Sequence, residues 1–259
     1  MMDGLTFFDC NAFIGQPSVV KYFPERVTVP VLCREYDRLG IDRALVTHVA
    51  AKEYAPSVGN DLLRKELEGA DRFTPCITLM PPLTGELWNP EDILGELRER
   101  GARAARLFPS LTGHRYPFDI RVIGTICEVL ETARVPLFVD FELGRRDEAD
   151  WVGLYDLADA FPDLPIVLIR PGGRSDRGLY PLLTRAANVY IESGGYWVHN
   201  GIEKICSVFG PERILFGSGF PYWTPSGAVF HVATAGVSES EKALIAHGNL
   251  DRVLSEVNL

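Results

Sequence analysis

The sequence predicts an α/β fold, a single (β/α)8 TIM barrel over residues 1–259, and three observations carry that reading. The chain has 259 residues, about what one such barrel uses. Eight short apolar, β-branched or aromatic runs recur along it, separated by segments of helical period, which is the alternation of a parallel sheet with crossover helices. Several runs are apolar almost throughout, as in Leu137-Phe138-Val139 and Ile166-Val167-Leu168-Ile169, as strands covered on both faces require.

Taken in order, the strands are expected at Thr6 to Cys10, Arg43 to His48, Phe73 to Leu79, Ala104 to Phe108, Pro136 to Phe141, Pro165 to Arg170, Val189 to Ser193 and Ile214 to Ser218. Before the fourth strand, Asn89-Pro90-Glu91-Asp92 reads as a helix start: a side-chain cap, a proline whose missing N–H costs nothing there, then acids at the positive dipole end. After it, Ile120, Ile123, Cys127 and Leu130 make one apolar stripe that covers the outside of the barrel. Near the end, Ser238 and Glu241 form a capping box, and Gly248 is expected to stop the helix. No low-complexity tract, long linker or internal repeat divides the chain, so one domain is expected.

With 46% hydrophobic and 24% charged residues the composition is that of a folded globular chain, which excludes global disorder. No apolar run approaches the roughly 18 to 20 residues of a membrane helix. The opening residues Met1, Met2, Asp3 and Gly4 lack the basic flank and apolar stretch of a signal peptide, so a cytoplasmic protein away from the membrane is expected. The net charge of −9 and the lack of a basic cluster interleaved with aromatics argue against nucleic acid. Cys10, Cys33, Cys76, Cys127 and Cys206 are odd in number and widely spaced, which reads as reduced core cysteines. No cofactor is implied, and a homo-oligomer stays open.

Chemistry in such a barrel sits at the C-terminal strand ends. The last polar residues there are Asp9 and Asn11, His48, Arg106, Asp140 and Glu142, Arg170, Glu192 and Ser193, and Ser218.

Phe8-Asp9-Cys10-Asn11-Ala12-Phe13-Ile14-Gly15 resembles the first-strand motif of the amidohydrolase superfamily, Asp-x-His-x-His-x-Gly. Arg213-Ile214-Leu215-Phe216-Gly217-Ser218-Gly219-Phe220-Pro221 resembles the last-strand motif of its amidohydrolase-related branch, Arg-Ile-Leu-Phe-Gly-Ser-Asp-x-Pro. Leu164 to Gly173 resembles the sixth strand with its glycine-rich turn, Pro136 to Asp140 the fifth, and Gly248 to Leu254 the closing helix. The resemblance implies a metal-dependent-hydrolase-like barrel. Members of that branch are zinc-dependent hydrolases and carboxy-lyases of small, often aromatic or unsaturated, carboxylic acids. Their metal is held by two first-strand histidines, the fifth- and sixth-strand histidines and the last-strand aspartate. At those positions this sequence has Asn11, Phe13, Asp140, Arg170 and Gly219. Phe13 and Gly219 have no side-chain donor and Arg170 brings a permanent positive charge, so no metal is expected.

Asp140 and Arg170 close adjacent strands and are expected to touch. In the functional reading Arg170 supplies the positive charge a metal would give and Asp140 acts as general base; in the plain one they are a buried ion pair. Arg106 is a second cation for a carboxylate, or a partner for an acid inside the barrel. His48 is an acid, base or substrate contact, or a structural hydrogen bond. Asn11 is a substrate contact, and Tyr222 and Trp223 either roof a substrate or pack into the core. The sequence therefore reads as a divergent, metal-independent hydrolase, lactonase or carboxy-lyase of a small-molecule carboxylate. The other reading is a catalytically inactive barrel that serves as a small-molecule-binding or interaction protein.

Overall fold

A computed structural model describes the whole chain except residues 1–3, 20–21, 144–146 and 173, so Met1 to Asp3 and Gly173 of the readings above lie outside the described residues. In chain order the elements are β1 (Phe7–Ile14), α1 (Val29–Asp37), β2 (Ile41–His48), α2 (Val49–Glu53), α3 (Pro56–Glu66), β3 (Phe73–Thr78), α4 (Ile93–Glu99), β4 (Ala104–Leu107), α5 (Ile120–Thr132), β5 (Leu137–Val139), α6 (Trp151–Ala160), β6 (Ile166–Leu168), α7 (Asp176–Arg185), β7 (Val189–Glu192), α8 (Gly201–Phe209), β8 (Ile214–Leu215), α9 (Pro225–Ala233), α10 (Glu239–Ala243) and α11 (Asn249–Ser255). The eight strands lie in sequence order in one parallel sheet. Its seam closes through Cys10 N to Phe216 O (2.9 Å), Gly219 N to Asn11 O (2.8 Å) and Phe13 N to Phe220 O (2.8 Å), giving the (β/α)8 barrel the sequence predicts.

Inward side chains fill the barrel in layers, as period-two alternation demands. Phe8, Cys10, Leu45, Cys76, Phe138, Val167, Ile169 and Leu215 form the lower core, and Phe13, Val49 and Phe108 form a smaller cluster toward the mouth. The outward residues of the strands meet the helices: Ile123, Cys127 and Leu130 of α5 are buried there, joined by Ile126. Burial pushes the thiols of Cys10, Cys76, Cys127 and Cys206 upward, which fits inert core cysteines.

Four local readings are corrected. Strand β1 runs on to Ile14, because an irregular register between Asp9 and Ala12 lets it keep pairing with β2. Asn89 makes no side-chain cap; Pro90–Asp92 forms a 3-10 turn leading into α4. Ile120, at the first residue of α5, is 40% exposed, because it precedes the turn that faces the strands. Gly248 does not end a helix: a π-helical turn, Leu244–Gly248, runs straight into α11 with Gly248 at helical φ −60°. The Ser238–Glu241 capping box is present.

Candidate active site at the barrel mouth

A cavity of about 200 Å³ opens at the C-terminal strand ends, walled by Asn11, Phe13, Asp140, Arg170, Tyr222 and Trp223. Arg170 follows β6 with φ 50°, a left-handed conformation that turns its side chain off the strand line. Two features hold it there. Its backbone N–H donates to Glu192 Oε2 at 3.1 Å, and Gly195 packs so close that a Cβ at 195 would meet the Cβ of Arg170 at 2.5 Å. The guanidinium lies 3.8 Å from the centre of the Trp223 ring, a cation–π contact.

Arg170 and Asp140 do not form the expected contact ion pair: no N–O approach within 4.0 Å joins them. The left-handed turn stacks Arg170 on Trp223, while Asp140 Oδ1 accepts the Glu142 N–H at 2.9 Å. Asp140 acts on Arg170 through space instead. Burial lowers the pKa of Arg170, and the charges of Glu192 and then Asp140 oppose that shift. Among the described residues no side chain accepts a hydrogen bond from the guanidinium. It remains a cation facing a cavity, because even a depressed arginine stays protonated near neutrality.

Gly219 explains why that arrangement fits. A Cβ there would stand 3.1 Å from Trp223 Cδ1 and 3.3 Å from Arg170 Nη1. Arg170 and Trp223 thus occupy the space into which an aspartate at 219 would project.

Arg106 lies deeper than the mouth. It is 1% exposed and packs 5.1 Å from the Phe13 ring centre, with Nη1 donating to Asn11 Oδ1 at 2.9 Å and Nη2 to Cys10 O at 3.4 Å. It is not in the cavity wall, because Phe13 lies against its guanidinium and occupies the wall itself. It holds Asn11, whose Nδ2 reaches Glu192 Oε1 at 3.5 Å. His48 caps α2: its Nδ1 accepts the Ala50 N–H at 3.0 Å, and it too is absent from the wall. Burial lowers the pKa of His48, which favours the neutral imidazole that a cap needs. Asp9 does not face the mouth either; it turns outward to Tyr36 of α1 and accepts hydrogen bonds from Tyr36, Ser218 and the Asn11 N–H.

Tyr222 and Trp223 do border the cavity. Tyr222 packs edge-on against Phe13 at 5.1 Å and donates its hydroxyl to Glu53 at 2.7 Å. Two charged residues given no role from sequence complete the rim. Lys52 Nζ lies 2.8 Å from Glu142 Oε1 and 4.1 Å from the Tyr222 ring centre. Lys52 sits in a short helix after β2, where no motif marks it; Glu142 is one of the strand-end polar residues.

Glu192 is fully buried, and two glycines make room for it. A Cβ at Gly217 would meet its Cγ at 2.4 Å, and one at Gly194 would meet its Oε1 at 2.6 Å. Burial, opposed by Arg170, pushes its carboxyl from 4.5 up to about 7. Between about pH 4.5 and 7 the folded chain therefore holds a proton that the unfolded chain has released. Stability is fullest below that window and falls as pH rises through it. Glu192→Gln is expected to flatten this slope in denaturant titrations at pH 4.5 to 8; unchanged slopes would show that the carboxyl does not titrate there.

Among the described residues no group of three or more His, Cys, Asp or Glu side chains is placed to hold a metal ion. At the five family metal positions Asn11 is committed to Arg106 and Glu192, and Arg170 presents a cation, so the donor set does not fit a transition metal.

Fold and site together define a (β/α)8 barrel with a small cavity of charged and aromatic side chains at the C-terminal strand ends. The chain belongs to the amidohydrolase family, whose sequence profile matches residues 35–255; the match begins after β1. A search of curated proteins found no sequence match. Among solved structures it is similar to 5-carboxyvanillate decarboxylase from Sphingomonas paucimobilis (17% identity, TM-score 0.69, 97% of this chain and 99% of that one). It is similar to 2,6-dihydroxybenzoate decarboxylase complexed with 2,6-dihydroxybenzoate (16%, TM-score 0.75, 97% and 99%). It also resembles a dihydroxybenzoic acid decarboxylase from Polaromonas with bound manganese and 2-nitroresorcinol (15%, TM-score 0.73, 97% of both chains). At these identities the likeness establishes the fold. No helix among the described residues is long and apolar enough to cross a membrane.

Proposed function

We propose that this protein is a metal-independent hydrolase that releases a small carboxylic acid from an ester or lactone. One observation carries the reading: Arg170 presents a guanidinium, unpaired within the described residues, to a cavity that it shares with the Asp140 carboxylate. Asp140 takes a proton from water as it attacks the acyl carbon, and Arg170 stabilises the oxygen on which negative charge develops. Trp223 and Tyr222 flank the apolar part of the substrate. Asp140 returns the proton to the leaving oxygen, and the product carboxylate lies on Arg170.

Hydrolysis is preferred over the carboxy-lyase chemistry of the relatives on a sign argument. A cation gripping a carboxylate stabilises the ground state of decarboxylation, since the charge leaves that group as CO2 forms. In acyl hydrolysis the charge arrives where Arg170 stands. The substrate-binding roles are accordingly Arg170, Trp223 and Tyr222 directly, with Asn11 at the wall. Arg106 acts through Asn11, and His48 acts through the α2 it caps.

The test is turnover of small aryl esters and lactones by chelator-treated protein. Asp140→Asn should lower kcat about 100-fold or more, the low end for general base catalysis, while benzoate still binds. The catalytically inactive, small-molecule-binding reading is favoured by the way Phe13, Tyr222 and Trp223 take up the mouth, leaving about 200 Å³. Benzoate binding with no turnover of any ester or lactone would establish that second reading.

A further inference from the structure

A groove of about 890 Å³ lies between the loops that follow β4 and β5. Leu111, Tyr116, Pro117, Phe118, Phe141 and Leu143 give it an apolar lining, with Phe118 and Phe141 edge to face at 5.1 Å. Leu111 stands 77% exposed at its rim, an apolar side chain that the fold itself does not cover.

The groove adjoins the candidate active site. Glu142 and Leu143 line both spaces. Glu142 is the partition: one carboxylate oxygen holds Lys52 on the cavity side, and the other accepts Ser110 Oγ at 2.6 Å and Thr112 Oγ1 at 3.2 Å on the groove side.

We infer that the acid recognised at Arg170 carries an extended, uncharged apolar arm, which passes Leu143 and lies in the groove of Leu111, Phe118 and Phe141. This inference rests on the Arg170 reading above. The 200 Å³ cavity takes the carboxylate and about one ring; the groove takes the remainder and sets the length of substrate preferred. The acyl groups cleaved would then be aryl-alkyl or medium-chain ones rather than benzoyl-sized ones.

The experiment is a calorimetric series with benzoate, 4-phenylbutyrate and 6-phenylhexanoate on the full chain, repeated with Leu111→Asp and Arg170→Met. The expected result is affinity rising with length, up to roughly fourfold per methylene fully buried. Leu111→Asp should reduce the ratio of 6-phenylhexanoate to benzoate affinity, and Arg170→Met should weaken every acid. Benzoate binding without a gain for longer acids would overturn the arm and leave the Arg170 reading standing. A gain that Leu111→Asp does not reduce would also overturn it, because the arm would then lie elsewhere. If no acid of any length binds, the Arg170 reading falls and the arm with it.

Discussion

Replacing Arg170 with Met is expected to weaken benzoate binding about 10- to 150-fold, the equivalent of the roughly 1.5 to 3 kcal/mol of a hydrogen bond to a charged group. Benzamide affinity should change little. The difference follows from what Met retains and what it removes: an unbranched side chain keeps the apolar contact with Trp223, while the five guanidinium donors are lost. Among the described residues no other cation in the wall replaces them, because Lys52 is held by Glu142 and Arg106 is buried and absent from the wall. Paired calorimetric titrations of acid and amide separate the charge effect from packing. An equal loss for both ligands would mean that Arg170 only shapes the cavity.

The second large effect is on stability. Asp9→Ala is expected to cost about 3 to 5 kcal/mol, a large part of the roughly 5 to 15 kcal/mol that holds a typical domain together. The Asp9 carboxylate accepts the Asn11 N–H at 2.8 Å, the Ser218 N–H at 2.9 Å, the Tyr36 hydroxyl at 2.5 Å and the Ser218 hydroxyl. It therefore ties β1 to α1 and to the segment after β8, across the seam where the barrel closes. Alanine would strand several buried donors at about 1 to 3 kcal/mol each, partly relieved by relaxation. Asp9→Asn keeps one acceptor oxygen and should cost less than Asp9→Ala. Urea unfolding of the three proteins gives the comparison; an alanine variant within about 0.5 kcal/mol of the parent would show that the seam does not depend on this residue.

The strands were legible because a barrel strand writes its two buried faces into a run of apolar residues, as in Ile166 to Ile169. The candidate site was legible in part, for the same reason of position: Asn11, Asp140 and Arg170 follow from reading strand ends, Tyr222 and Trp223 from the aromatic stretch after the last strand, and all border the cavity. Other features depend on backbone turns and chain crossings that no local pattern encodes. The Asp140–Arg170 contact failed because a positive φ at Arg170, an uncommon conformation for a non-glycine residue, redirects the guanidinium to Trp223. Arg106 looked like a mouth residue, but Phe13 lies against it and occupies the wall. Asp9 faces the helices because it alternates with the inward Phe8 and Cys10, which a reading of the last polar residue passes over. Lys52 reaches the rim from a helix that begins one residue past β2, too far from the strand end to be picked out by it. Glu192 was visible as a polar strand end, yet its burial depends on glycines at 194 and 217, one of them 25 positions away.

The central claim is that an arginine-centred anion site stands where the family holds a metal, with Gly219 leaving the space that Arg170 and Trp223 use. The most direct measurement is a benzoate titration of chelator-dialysed protein, repeated after adding zinc or manganese. The account predicts benzoate binding in the metal-free protein, unchanged by either metal. Benzoate binding that appears only when metal is restored would contradict it.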